Sequence, residues 1–302
     1  MNYAFVSGLS TGNRKLVFRK SIGTVLDFYD SEIYIYRLCT SIISFRTGFM
    51  ARIIAITNQK GGVGKTTTSV NLAASLGALE RKTLLVDIDP QANSTSGLGF
   101  DADSIEKSIY EVLIEQFPVE ETIKETDIEY LKLLPSNIRL SGAQIELVSM
   151  IARERKLQAV LESIDDDYDY ILIDCPPSLG ILTLNSLTAA KSVLIPIQCE
   201  YYALEGVGQL LNSIRLVQKN LNPNLTIEGI LLTMYDSRLN LSKQVADEVR
   251  SYFEDKVYNT IIARNVKLSE APSFGKPIIL YDILSVGAKA YLELAKEVER
   301  DA

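Results

Sequence analysis

Histidine and tryptophan are both missing from this sequence of 302 residues, and cysteine occurs only three times. Without histidine there is no imidazole to serve as general base or metal ligand, so any water-activating group must be a carboxylate. Cys39, Cys175 and Cys199 are odd in number and lack the spacing of a metal site, which points to a reducing compartment rather than a disulfide framework. No apolar run approaches the roughly 20 residues that span a bilayer. The formal charge of −7 removes bulk attraction to nucleic acid or anionic lipid, so either ligand would need a local patch. An apolar content of 47% still suits an ordinary core. The length allows one large α/β domain or two small ones.

What the sequence does contain is a glycine loop after a strand. The apolar run Arg52–Ile56 leads into Thr57-Asn58-Gln59-Lys60-Gly61-Gly62-Val63-Gly64-Lys65-Thr66-Thr67-Thr68. A strand, a glycine-rich turn and a helix start in that order make a phosphate cradle. Gly61, Gly62 and Gly64 let the chain turn tightly enough for successive N–H groups to point at phosphate oxygens. Lys65 supplies a charge to the β- and γ-phosphates, and the Thr66 hydroxyl is placed to ligate Mg²⁺. The usual pattern G-x-x-x-x-G-K-[ST] is not met, because Gln59 stands at its first glycine and Lys60 follows. That second lysine, five residues before Lys65, is the most specific feature of the chain.

From residue 50 onward, apolar and amphipathic stretches alternate. Strands are expected at Arg52–Ile56, Thr83–Asp87, 130–134, Tyr170–Asp174, 192–197, 229–234 and 258–262, with helices at 69–79, 145–164, 204–221, 241–253 and 286–298. Continuous Ile/Leu/Val runs suit strands buried on both faces, and their alternation with helices indicates a doubly wound, mostly parallel α/β sheet.

Two acids end such strands. An acid there is expensive to desolvate unless a cation or a set of hydrogen bonds compensates it, and ligands of open parallel sheets sit at those carboxyl ends. Asp174, after 170–173, reads as the acid that holds Mg²⁺ directly or through water. Asp87-Ile88-Asp89-Pro90 is the second signal. Asp89 is either a turn cap beside Pro90 or the carboxylate that directs water.

The Lys-Gly-Gly-Val-Gly-Lys-Thr spelling resembles the deviant Walker A motif of the ParA/MinD group of P-loop ATPases. Three further stretches, Pro196 to Gly206, Leu232 to Arg238 and Leu268 to Ser273, are similar to the chromosomal ParA (Soj) branch. The resemblance implies ATP and Mg²⁺, with Lys60, Gly61, Gly62, Val63, Gly64, Lys65, Thr66 and Thr67 holding the nucleotide. Thr66, Asp87 and Asp174 would stand near the metal, and Asp89 would orient and polarise the attacking water. Lys60 would reach the partner's ATP across a homodimer, the rival role being that of a solvated loop lysine. The same resemblance implies an ATP-closed dimer that binds DNA without sequence preference and is released by hydrolysis, which a ParB-type partner stimulates. Arg238 and Lys267 match backbone-contacting positions, although residues 234–276 as a whole carry only seven basic against six acidic side chains. Ala263 departs from the family, where proline is common near the adenine. Cys175 is expected to be a small buried residue rather than a ligand of an iron–sulfur cluster.

The rival is a MinD-type membrane-cycling ATPase in division-site placement. That branch ends in a basic amphipathic helix, whereas this chain ends Glu293 to Ala302 with acids predominating, so no membrane is expected and the resemblance implies a cytoplasmic, nucleoid-associated protein. Residues 1–49 carry six bases and three acids, leaving −10 on the remainder. ParA-type proteins usually begin just before the P-loop strand, and Met50 stands there. The expectation is a single P-loop ATPase domain over 50–302, with 1–49 an extension that is disordered or non-native upstream translation. A basic tail that touches DNA or a membrane is the alternative.

Overall fold

Among the described residues seven strands form one sheet, with helices on both of its faces. The computed structural model describes residues 50–300 except Tyr202, so the extension expected at 1–49 lies outside the described residues. The chain runs β1 (Arg52–Ile56), α1 (Lys65–Ala78), β2 (Thr83–Asp87), α2 (Asn93–Gly97), α3 (Ile109–Ile114), β3 (Lys124–Glu125), β4 (Leu131–Leu134), α4 (Leu140–Glu146), α5 (Lys156–Glu162) and β5 (Tyr170–Asp174). It continues through α6 (Ile181–Ala189), β6 (Ser192–Gln198), α7 (Ala203–Asn220), β7 (Thr226–Thr233), α8 (Asn240–Phe253), α9 (Val266–Glu270), α10 (Ile278–Tyr281) and α11 (Val286–Arg300). The order across the sheet is β3-β4-β2-β5-β1-β6-β7, and only the β3–β4 pairing is antiparallel.

The period of two in a strand sorts each apolar run between two cores. Ile53 and Ala55 of β1 face one cluster with Ile171 and Ile173 of β5, while Ile54 and Ile56 face the other with Leu172. The second cluster also takes Leu72 and Leu76 of α1 and Tyr291, Leu294 and Val298 of α11. With both faces covered, β2 and β5 are buried at every residue, which is why they read as unbroken apolar runs ending in an acid.

The sheet order also places the site. β1 and β5 are neighbours, yet the connection after β1 leads to β2 on one side and the connection after β5 leads to β6 on the other. Adjacent strands whose connections diverge leave a crevice at their carboxyl ends. The glycine loop leaves β1 there, and Asp174 closes β5 beside it.

Two expected elements differ. Residues 258–262 make no strand. Tyr258 and Ile262 donate to Ile230 and Leu232 of β7, but the amides of Asn259 and Thr260 between them are taken by the Glu297 carboxylate of α11, at 2.6 and 3.0 Å. Only isolated bridges, Ile230 to Val257 and Tyr235 to Ala263, remain. The helix expected over 145–164 is broken instead. Ala152 adopts φ +52, the Arg153 guanidinium caps the Val148 carbonyl, and Asn185 of α6 donates to the Arg153 carbonyl. Its apolar residues also fail to form an inward stripe, since Ile145, Val148 and Ile151 are exposed. The two-residue β3 escaped the sequence reading because it is polar and too short to show a period.

One close approach secures the turn after α9 against the end of α2. Gly275 has φ +60, and a Cβ there would lie 2.7 Å from the Gly99 Cα. Gly275→Ala combines an unfavourable backbone with a backbone clash and should cost about 2–4 kcal/mol. Gly208→Ala in α7, where a Cβ meets nothing within 4 Å, should be neutral or slightly stabilising. Urea denaturation of the two variants checks the contrast.

Candidate functional site

The glycine loop is pinned at its start. Asn58, buried, donates its Nδ2 to the Pro196 carbonyl of β6 at 2.8 Å and accepts the Lys60 amide on Oδ1 at 3.0 Å. Thr57 adds a backbone bond to the Leu194 carbonyl. Gly62 and Gly64 then take φ +74 and +88, values that glycine alone adopts freely, and α1 starts at Lys65. The N-terminal end of α1 therefore opens on a hollow bounded by Gly61 to Gly64, where amide groups and the helix dipole favour an anion.

Lys65 folds back across this hollow, with Nζ 3.0 Å from the Lys60 carbonyl. Burial pushes its pKa down, while Asp174, Cys175 and Asp89 push it back up. A buried ammonium that holds only a carbonyl is poised for a stronger acceptor, and phosphate oxygens are such acceptors. Lys60 is anchored by both its backbone groups, whereas its own ammonium has no partner among the described residues.

Below the loop stand the acids. Asp87 and Asp174 are register partners at the ends of β2 and β5, and both are fully buried. Asp174 accepts the Ser69 hydroxyl at 2.9 Å and the Ser94 hydroxyl at 2.7 Å, and the Thr66 hydroxyl stands near enough to favour its ionised form. Asp87 accepts the Asp89 amide, the Thr95 amide and the Thr95 hydroxyl at 3.1, 2.8 and 2.8 Å. Burial raises the pKa of both carboxyls. Asp174 adds repulsion to Asp87, and the three hydroxyls oppose the rise at Asp174. Two buried carboxylates on adjacent strands are relieved by a cation, and Thr66 beside Asp174 supplies a neutral oxygen for one. Among the described residues no three acids or cysteines gather into a metal cage. A cation held here would draw most of its ligands from phosphate and water, the habit of Mg²⁺. The donor set fits that ion.

Asp89 lies in the turn after β2 and is nearly buried. Its Oδ1 caps the Gln91 amide at 2.9 Å, and its main-chain carbonyl accepts the Ser136 hydroxyl at 2.8 Å. The turn-cap role is thus present, and it holds the carboxylate still with Oδ2 unclaimed by any described donor. Both readings of Asp89 are compatible in one geometry.

The other candidates lie apart. Cys175 and Cys199 are buried, and burial pushes their thiols up to about 12 and about 11, so they are protonated packing groups as expected. Arg238 sits in the turn after β7 with its side chain 85% exposed, forked onto Asp236 at 2.7 and 2.9 Å. Lys267 on α9 pairs with Glu270 at 3.0 Å and lies over the Tyr281 ring. The two segments meet where the Tyr235 carbonyl accepts the Arg264 amide.

Sequence reasoning missed Asn58, Ser69, Ser94, Thr95 and Ser136, the residues that orient the acids and the loop. A signal was available. Ser69 follows Lys65 by one helical turn, and Ser94-Thr95 follows Asp89 within one short turn, so short hydroxyls cluster just past each charged residue.

A family model described as AAA domain matches residues 51–227. The sporulation initiation inhibitor protein Soj of Bacillus subtilis is 62% identical over 249 residues, covering 82% of this chain and 98% of that protein. The chromosome partitioning protein ParA of Myxococcus xanthus is 58% identical, with 82% and 88% coverage. Among solved structures, a protein titled cobyrinic acid a,c-diamide synthase from Mycobacterium smegmatis, with bound ATP analog and magnesium, superposes with a TM-score of 0.73 at 42% identity. That match covers 83% of this chain and 95% of the other.

Asn58→Ala leaves the half-buried Lys60 amide and the buried Pro196 carbonyl without their partner. The expected loss is about 2 kcal/mol of stability. Faster amide hydrogen exchange confined to residues 58–65 should accompany it, measured by mass spectrometry.

Proposed function

Because the chain belongs to the Soj/ParA family of chromosome-partitioning ATPases, we propose that it hydrolyses ATP to ADP and phosphate in a DNA-partition cycle. The observation that carries this reading is the convergence of Lys65, Thr66, Asp174 and Asp89 on one glycine hollow. Residues 61–67 hold the phosphates through their amides, and Lys65 exchanges the Lys60 carbonyl for β- and γ-phosphate oxygens. Thr66 and Asp174 would hold Mg²⁺, with Asp87 behind them fixing the turn that carries Asp89. Once bound, the ion neutralises charge that develops on the phosphate oxygens. Asp89 orients the attacking water through its unclaimed oxygen, a task that falls to a carboxylate in a chain without histidine.

Lys60, whose ammonium has no partner among the described residues, reaches the nucleotide of a second copy, so ATP closes a homodimer. The closed dimer binds DNA through Arg238 and Lys267, which exchange Asp236 and Glu270 for backbone phosphates. Such exposed pairs contribute little and are readily exchanged. A ParB-type protein stimulates hydrolysis and release, and the cycle runs on the nucleoid in the cytoplasm. In this reading 50–302 is one ATPase domain and 1–49 an extension outside it. Membrane cycling is less well supported, because the apolar face of α11 (Ala288, Tyr291, Leu294, Ala295, Val298) is already buried. No described helix is long and apolar enough to cross a membrane.

Asp89→Ala should retain ATP while its turnover falls about 100-fold or more. With ATP it should co-sediment with DNA of arbitrary sequence and not with anionic liposomes; ADP should abolish the DNA binding. Liposome binding alone would transfer the protein to the membrane-cycling branch. For the DNA face, Arg238→Ala and Lys267→Ala should each lower the salt slope of DNA affinity by about one, equally for unrelated sequences. A fluorescence-anisotropy salt titration measures it.

A further inference from the structure

The glycine loop also meets the end of β7. Thr233, the last residue of that strand and 2% exposed, donates its hydroxyl to the Val63 carbonyl at 2.8 Å. A Cβ placed on Gly64 would sit 3.8 Å from the Thr233 methyl, so the side chain lies against the turn itself. A trans peptide points its C=O and N–H in opposite directions. Holding the Val63 carbonyl toward β7 therefore turns the Gly64 N–H away from it, as a phosphate donor in the hollow requires. Thr233 is in turn fixed, because its own carbonyl accepts the Cys199 amide at 3.1 Å.

The chain beyond Thr233 is unusual. Met234 has φ +51, a left-handed conformation that a side-chain-bearing residue adopts only when its surroundings impose it. On its far side Tyr235 bridges to Ala263 and accepts the Arg264 amide, and Asp236 holds Arg238. Four residues thus separate a hydrogen bond to the glycine loop from the exposed guanidinium. The strained residue lies between them.

We propose that Thr233 is a positioning residue which orients the Val63–Gly64 peptide for nucleotide phosphates and passes a change in that peptide, through Met234, to the segment carrying Arg238. The coupling rests on the ATPase and DNA readings above. It assigns to one hydroxyl the link between what the loop holds and what the turn after β7 binds.

The full chain would be compared with Thr233→Val, which keeps the shape and removes the donor, Thr233→Ser, which keeps the donor, and Met234→Gly, which relaxes the left-handed turn. KM and kcat for ATP are measured, together with the ratio of affinities for a labelled arbitrary duplex in ATP and in ADP. Thermal melts confirm folding. Thr233→Val should raise KM about three- to tenfold and bring the affinity ratio near one, with Thr233→Ser restoring both. Met234→Gly should keep KM and lose the ratio. Wild-type values in Thr233→Val, or equal losses in the valine and serine variants, would overturn the proposal alone. A wild-type chain that hydrolyses ATP without nucleotide-dependent DNA affinity would overturn the coupling together with the DNA reading. One that hydrolyses no ATP would sink the proposed function itself.

Discussion

Two carboxylates buried side by side are the constraint around which the rest of the site is arranged. Asp87 and Asp174 end adjacent parallel strands in register, both fully buried. Isolated ions in that position would not survive ionised. Six donor groups from five residues reduce the penalty, and each comes from an element that has to be in its present place: Thr66 and Ser69 from α1, Ser94 and Thr95 from α2, and Asp89 from the turn after β2. Helix α1 cannot shift along the sheet without losing Ser69, and the Asp89 turn cannot open without losing its amide bond to Asp87. The charge that makes the site useful is also what orders the elements around it.

That constraint explains which parts were legible. β2 and β5 stood out because a strand covered on both faces must be apolar until its last residue, where the acid meets the crevice. The glycine loop was readable because its backbone angles demand glycine at Gly62 and Gly64. The donors to the acids were not, since serine and threonine on a helix look like ordinary surface residues until the fold brings them under a carboxylate. The break at Ala152 and the failed strand at 258–262 were hidden for another reason. Both are decided by side chains distant in sequence, Asn185 and Glu297, which take up backbone groups that a local pattern assigns to regular structure.

The charges at the surface follow a different logic from those inside. A body of strongly negative balance keeps Arg238 and Lys267 beside acids of their own, so neither presents an undivided positive field. In the proposed reading, binding to DNA is then an exchange of partners rather than a simple attraction. Such an exchange is sensitive to small displacements of the turn after β7 and of α9, which touch at Tyr235 and Arg264. The closeness of that turn to the glycine loop brings inner and outer charge together within one short stretch of chain.

The Glu297 carboxylate has one more effect. β7 is the outermost parallel strand, and such an edge invites another chain to add itself. The segment 257–263 lies along it and uses Tyr258 and Ile262 to satisfy the strand. Because Glu297 draws the amides of Asn259 and Thr260 toward α11, the outer side of this segment carries no regular ladder of donors. At the opposite margin the sheet ends in a strand of two residues. Among the described residues neither side offers a template for growth, so copies of the chain can meet without their sheets joining.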